Sequence, residues 1–208
     1  MKIVIPFKAR NPKSRLSNLL NEEERVNFAK SMLLDVIDAM PDMEILIVTP
    51  ESIDIDFDKV TAKNLRVLID ERSLDDAVNS LIDEEKEIAI IMSDLPLLNR
   101  EVVDRFFNEE ADVVVAPGRK GGTNMLLVRN SKFRVSYHYG SFFKHVKMAK
   151  ELGLSCKIFD SFYSSIDVDE ESDLLELLLH GEGKKSWKFL IDRGFRVEFK
   201  KDPVFYKE

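Results

Sequence analysis

Four segments of this chain, "KIVIPF", "EILIVT", "EIAIIM" and "ADVVVA", are apolar over most of their length. A strand that is apolar on both faces needs cover on both faces, which a mostly parallel sheet flanked by helices provides. The intervening segments suit that cover. "NEEERVNFAKSMLLDVIDAM" starts with acids and spaces Val26, Ala29, Leu33, Val36 and Ile37 as one helical face. Helices are also expected around "SLDDAVNSLIDE", from Arg100 to Asn108, and near "SFFKHVKMAKELG", with further strands at "LRVLI", "NMLLV" and "CKIF". The C-terminal region adds a last helix and strand in "WKFLIDRGFRVEF". No repeat, linker or low-complexity tract interrupts the pattern, so residues 1–208 are expected to form a single α/β domain around a mostly parallel central sheet.

Charge and cysteine usage narrow the function classes. With 38 acidic against 31 basic residues the net charge is -7, which argues against nucleic acid as a partner. Cys156 is the sole cysteine, so no intrachain disulfide can form, and a reducing, cytoplasmic setting is expected. No apolar run approaches the roughly 18 residues of a membrane span, so no membrane partner is expected. Against the acidic background, "MKIVIPFKARNPKSR" carries Lys2, Lys8, Arg10, Lys13 and Arg15 without one acid. A local anion site and a merely solvated basic segment both fit that island.

In open α/β sheets, ligands bind beyond the carboxyl ends of the strands. Four informative segments fall there: the basic loop, Ser93–Asp94, the glycine segment "APGRKGGTN", and "DVD". Asp94 follows an apolar strand and precedes Pro96, so its carboxylate emerges at a strand end, suited to Mg²⁺, or to capping the next helix or forming a turn before it. Asp167 and Asp169, two positions apart, share a face if extended. A carboxylate brought near Asp94 would need a cation to stay ionised. Alternatively, Asp169, Glu170 and Glu171 decorate a helix N-terminus. The glycine segment can be a hairpin turn, or a place where amides close on an anion with Arg119 and Lys120 balancing charge.

His138, His145 and His180 lie at no metal-ligand spacing, and mid-helix His145 reads as packing or surface. Walker A, G-x-G-x-x-G and G-x-S-x-G patterns are absent. Cations, carboxylates and amides without an evident nucleophile suit nucleotidyl transfer, in which the substrate's own phosphate attacks. Lys13 and Arg15 lie in a loop without apolar periodicity, so neither is expected to anchor the core.

The ordered set "IPFKARNPKSRL", "SDLPLL", "APGRKGGTNMLL", "YHYGSFFKH" and "DVDEESDL" resembles, nearly end to end, the 2-phospho-L-lactate guanylyltransferase (CofC) family of coenzyme F-420 biosynthesis. That resemblance implies a GT-A-like nucleotidyltransferase fold and the condensation of GTP with 2-phospho-L-lactate to lactyl-2-diphospho-5′-guanosine and pyrophosphate. It implies Mg²⁺ at Asp94 and Asp169, and Lys8, Lys13 and Arg15 as catalytic cations facing the triphosphate. Thr123, His138 and Ser141, with the amides around Gly121, Gly122 and Gly140, would cradle the acceptor. A homodimer is implied as well. The chain departs from the family pattern at Gly118, at His138, at Glu170–Glu171, and in having two consecutive glycines before Thr123. Phosphoenolpyruvate or another small phosphorylated acceptor, and a noncatalytic nucleotide sensor on the same scaffold, remain alternatives.

Overall fold

A computed structural model describes residues 1–57, 62, 64–200 and 202–207. Among them, β1 (Lys2–Pro6), β2 (Glu44–Thr49), β3 (Asn64–Ile69), β4 (Ile88–Ile91), β5 (Val113–Pro117), β6 (Thr123–Val128) and β7 (Cys156–Ile158) form one sheet in the order β3-β2-β1-β4-β6-β5-β7. All neighbours run parallel except around β6, which is antiparallel to both β4 and β5. The glycine segment is the cause. It joins β5 to β6 as a short hairpin, which can only return the chain antiparallel.

Strand alternation divides the core. Ile3, Ile5, Ala89 and Ile91 point to a face closed by α1 (Glu22–Asp38) and α3 (Arg100–Phe107), where Leu33, Ile37, Val103 and Phe106 pack. Val4, Ile88 and Ile90 point the other way, against Val78 and Ile82 of α2 (Leu74–Glu84) and Ala149 of α4 (Ser141–Glu151). Both sides of these strands are dry, as their composition requires. The start of α1 follows from its sequence: Asn21 accepts from the Glu24 amide, and the Glu24 side chain accepts from the Asn21 amide.

The short α5 (Phe162–Ser165) leads to α6 (Glu171–His180) and α7 (Lys185–Ile191). The chain then ends in a separate two-stranded sheet of β8 (Phe195–Phe199) and β9 (Pro203–Lys207). The expected last strand therefore has a partner that patterning did not supply. These elements share a third apolar cluster with the basic loop, in which Leu16 and Leu20 meet Phe28, Leu174, Leu177 and Phe195. Asp35 of α1 locks it. Its buried carboxylate accepts from the Lys185 amide at 2.7 Å, the Ser186 amide at 2.9 Å and Ser186 Oγ at 2.5 Å, capping α7 from another helix. Hydrogen bonds to a charged group are worth about 1.5–3 kcal/mol each, less the desolvation of the carboxylate. Asp35→Ala is expected to lower unfolding free energy by about 2–3 kcal/mol in urea titration while leaving substrate KM values unchanged, since Asp35 lies outside both clefts described below.

Candidate active site

Asp94 emerges just past β4, and it is not a helix cap: Asn99 caps α3, accepting from the Val102 amide at 3.0 Å. The Val168 amide donates to the Asp94 carbonyl at 3.0 Å, which brings the "DVD" segment beside the strand end. Lys13 Nζ donates to Asp94 Oδ2 at 2.7 Å and to Asp169 Oδ1 at 2.6 Å. Arg15 Nη1 stands 3.8 Å from Asp169 Oδ2. Burial opposes charge on Lys13, but the carboxylates of Asp94 and Asp169 outweigh it and raise its pKa above the ordinary value. Burial likewise pushes Asp169 up, and the Lys13 ammonium overrides this, holding it below the usual carboxylate range. Asp167 shifts the other way, raised first by burial and then by the charge of Asp94.

Lys13 thus differs from the loop residue that its sequence context suggests. Its side chain is only 8% exposed, its φ is 53°, and it clamps two distant carboxylates. The loop lacks periodicity because a half-buried ion cluster fixes its middle, with Leu16 and Leu20 anchoring its end.

Two clefts meet at this cluster. The larger, about 820 Å³, runs along the ends of β1 to β4 and is lined by Lys8, Arg10, Lys13, Asp70, Arg72 and Asp94, among others. Its size suits a nucleotide-sized ligand. The smaller, about 500 Å³, is lined by Arg15, Gly122, His138, Gly140, Ser141 and Asp167, among others. Asp169 lines both. Lys8 and Lys13 share the larger cleft, whereas Arg15 opens onto the smaller one.

The glycine segment is a hairpin whose polar groups are partly spent on the protein itself. Arg119 Nη1 donates to Asp173 at 2.6 Å and Lys120 Nζ to Glu170 at 2.6 Å, so both cations already have carboxylate partners. The Gly122 amide donates to the Arg119 carbonyl and the Arg119 amide to Asp167, so the expected ring of free loop amides is reduced. Glu170 caps α6 in a reciprocal pair with Asp173, which leaves Asp169 to the clefts. Gly118 has a steric reason: a Cβ there would stand 2.1 Å from Asn124 Oδ1. Asn124 Nδ2 in turn donates to the Ser164 carbonyl and to Asp167. Gly121, at φ 80°, backs onto Phe143 and is not part of either cleft lining.

Thr123, 4% exposed, lies beneath the smaller cleft at the start of β6 and is reached through Ser141. The hydroxyls of Ser141 and Thr123 share a hydrogen bond at 3.2 Å, in which either can donate. Ser141 is the first residue of α4, whose opening amides face that cleft with no side-chain cap. His138 is mostly exposed on the rim, 3.6 Å from Asp75. His145 is fully buried, so of the packing and surface readings the packing one holds, and its Nδ1 stands 2.9 Å from Thr123 Oγ1. Its i, i+4 spacing from Ser141 was the available signal for that placement.

A family model described as "Guanylyl transferase CofC like" matches residues 1–207. The chain belongs to that family. It is 59% identical to the 2-phospho-L-lactate guanylyltransferase of Archaeoglobus fulgidus, over 98% of this chain and 95% of the relative. The enzyme of the same name from Ferroglobus placidus is 51% identical, with 98% of each chain covered. At the level of fold, a nucleotidyl transferase structure from Methanothermobacter thermautotroptrophicus superposes with a TM-score of 0.55 at 13% identity, covering 92% of this chain and 98% of that one. A structure from Desulfovibrio desulfuricans, proposed to be a nucleotide-diphospho-sugar transferase, gives a TM-score of 0.74 at 14% identity, covering 92% and 94%. The mostly parallel, helix-flanked sheet is thus a nucleotidyltransferase-like fold. In this CofC-like chain, no helix among the described residues is long and apolar enough to cross a membrane.

The ion cluster has a defined pH window. Asp169 titrates below its ordinary 3.8, so its pairing stabilises the fold above that value and is lost as pH falls through the lowered one. Lys13 titrates above 10.5, so its share is present below that value and is lost only as pH rises through the raised one. Lys13→Met is expected to lower Tm throughout the range between, with the gap to wild type narrowing below pH 3.8, as checked by thermal melts across pH.

Proposed function

We propose that this chain condenses GTP with 2-phospho-L-lactate, releasing pyrophosphate and forming lactyl-2-diphospho-5′-guanosine. The observation that carries this reading is the pair of clefts joined at Asp169, one large and lined by Lys8, Arg10 and Lys13, the other small and built on Ser141. The first suits a nucleoside triphosphate, and the second a compact anion. The names of the relatives at 51–59% identity support the choice of substrates.

In the reaction, a phosphate oxygen of the acceptor attacks the α-phosphorus of GTP. The bond from that phosphorus to the bridging oxygen of the β-phosphate breaks, and pyrophosphate departs with the bonding electrons. No protein nucleophile is needed, so the chain's task is orientation and charge. Lys8, Arg10 and Lys13 hold the triphosphate from one side. Arg15 and Ser141 hold the acceptor's anionic groups from the other, with Thr123 behind Ser141 and His138 on the rim.

The residues also fit Mg²⁺. Asp94 and Asp169 converge on one positive charge, the Lys13 ammonium, so their carboxylate oxygens face a common point that suits a cation. Among the described residues no three acidic, His or Cys side chains form a complete metal cage, but Mg²⁺ commonly takes one or two carboxylates and completes its shell with phosphate oxygens and water. Asp94 and Asp169 would hold it, and when bound it would neutralise charge on the phosphate oxygens.

The decisive assay is pyrophosphate release with each nucleoside triphosphate against 2-phospho-L-lactate, phosphoenolpyruvate and a hexose 1-phosphate. GTP with 2-phospho-L-lactate is expected to turn over fastest, and turnover of the hexose phosphate alone would overturn the proposal. Chelation is expected to abolish release. Asp94→Asn and Asp169→Asn are each expected to lower kcat/KM by a hundredfold or more, on the order of 3 kcal/mol of transition-state stabilisation.

The second cleft gives a separate expectation. Thr123→Val and Ser141→Ala should each raise the acceptor KM about tenfold while leaving the KM for GTP within about twofold, in initial-rate measurements with each substrate varied.

A further inference from the structure

His145 is buried, lies outside both cleft linings, and yet bonds to the residue beneath the acceptor pocket. Its ring is held on every side. Phe133 and Tyr137 pack against it with centroids 5.9 and 5.1 Å away, the latter edge-on. The Ser136 amide donates to Nε2 at 3.0 Å. A ring nitrogen that receives an N–H carries no proton of its own, so the proton of the neutral imidazole is on Nδ1. Burial, with a lesser contribution from Lys144, pushes the imidazole pKa down to about 4 and keeps the ring neutral near pH 7.

That tautomer decides how many hydrogens the pocket can offer. The Thr123 and Ser141 hydroxyls share two, and one is consumed in the 3.2 Å bond between them. With Nδ1–H donating to Thr123 Oγ1, the other hydrogen is left over. It can be presented at Ser141, which lines the cleft, if Thr123 donates to Ser141. With the opposite tautomer Nδ1 would be an acceptor and would consume the Thr123 hydrogen, and Ser141 could give its own hydrogen to a ligand only by breaking its bond to Thr123. As long as that bond is kept, the two hydroxyls would present only lone pairs, which repel an anion.

We propose that His145 is a positioning residue for the acceptor, fixed by the Ser136 amide in the Nδ1–H tautomer so that the Thr123–Ser141 pair becomes a net hydrogen-bond donor to the acceptor's anionic group. This rests on the assignment of the smaller cleft to the acceptor. The four-residue spacing of Ser141 and His145 on α4 places both groups on one helix face against Thr123, and Ser136 closes the relay from the preceding segment.

Two measurements test it. Ring-nitrogen NMR on isotopically labelled wild-type protein at neutral pH is expected to give a pyridine-type Nε2 and a pyrrole-type Nδ1 for His145. A proton on Nε2 would overturn the proposal. In kinetics, His145→Asn can place its amide N–H where Nδ1 stood, whereas His145→Gln reaches only towards Ser136. His145→Asn should keep the acceptor KM within about threefold of wild type, and His145→Gln should raise it about tenfold, with the KM for GTP unchanged in both. Equal acceptor KM values for the two variants, or an order that merely follows their Tm, would assign His145 to packing alone and overturn the proposal. If Thr123→Val also left the acceptor KM unchanged, the assignment of the cleft would fall. A large effect of Thr123→Val with none from His145→Gln would remove only the role of His145.

Discussion

The Lys13 ammonium between Asp94 and Asp169 ties together three stretches of chain that are remote in sequence: the loop after the first strand, the end of a central strand, and the entry to α6. Each partner alone would be costly to bury, because an unpaired charge removed from water loses several kcal/mol of hydration. Together they hold one another, and the pKa of Lys13 moves up while that of Asp169 moves down. Removing the cation leaves two carboxylates facing one another, with Asp167 nearby and already raised by burial and by Asp94. Both clefts are built around this cluster, so the contact that closes the fold here also sets the electrostatics of the site.

A cation that clamps two carboxylates and lines the larger cleft is well placed to respond to polyphosphate. The charge balance at Asp94 and Asp169 then depends on what else enters the cleft, since phosphate competes for Lys13 and a divalent ion competes with it. The smaller cleft works by different means. Two of the cations that line it, Arg119 and Lys120, are engaged by Asp173 and Glu170, and the Gly122 amide by a carbonyl. On the proposed reading, neutral donors organised from beneath carry more of the recognition there, while Arg15 supplies the charge. Neutral hydroxyls depend on the orientation of their hydrogens, so a buried imidazole can matter without touching the ligand.

The annex of α6, α7 and the terminal hairpin gives the basic loop a floor. Leu16 and Leu20 lie in the same cluster as Phe28, Leu177 and Phe195, with Asp35 fastening α7 to α1. The loop that carries Lys8, Arg10, Lys13 and Arg15 is therefore anchored by apolar side chains at one end and by ions in the middle. Such anchoring limits the entropy lost when phosphate binds.

Much of this was written in local sequence. Strands apolar on both faces, such as Ile88–Ile91, can be stable only inside a helix-covered sheet, and Asn21 with Glu24 marks where α1 begins. Strand ends followed by Asp94, the basic loop and the glycine segment locate the site, because the geometry of an α/β sheet gathers those ends on one edge. Tertiary structure alone decided the rest. Whether Arg119 was free or paired depended on Asp173, 54 residues away, and whether Lys13 was solvated or clamped depended on Asp169, 156 residues away. The tautomer of His145 depended on an amide that chain folding brought to its ring. Periodicity records which side of an element is buried, since that repeats every few residues. Pairing between single polar groups leaves no period, and it exists only once the chain has closed.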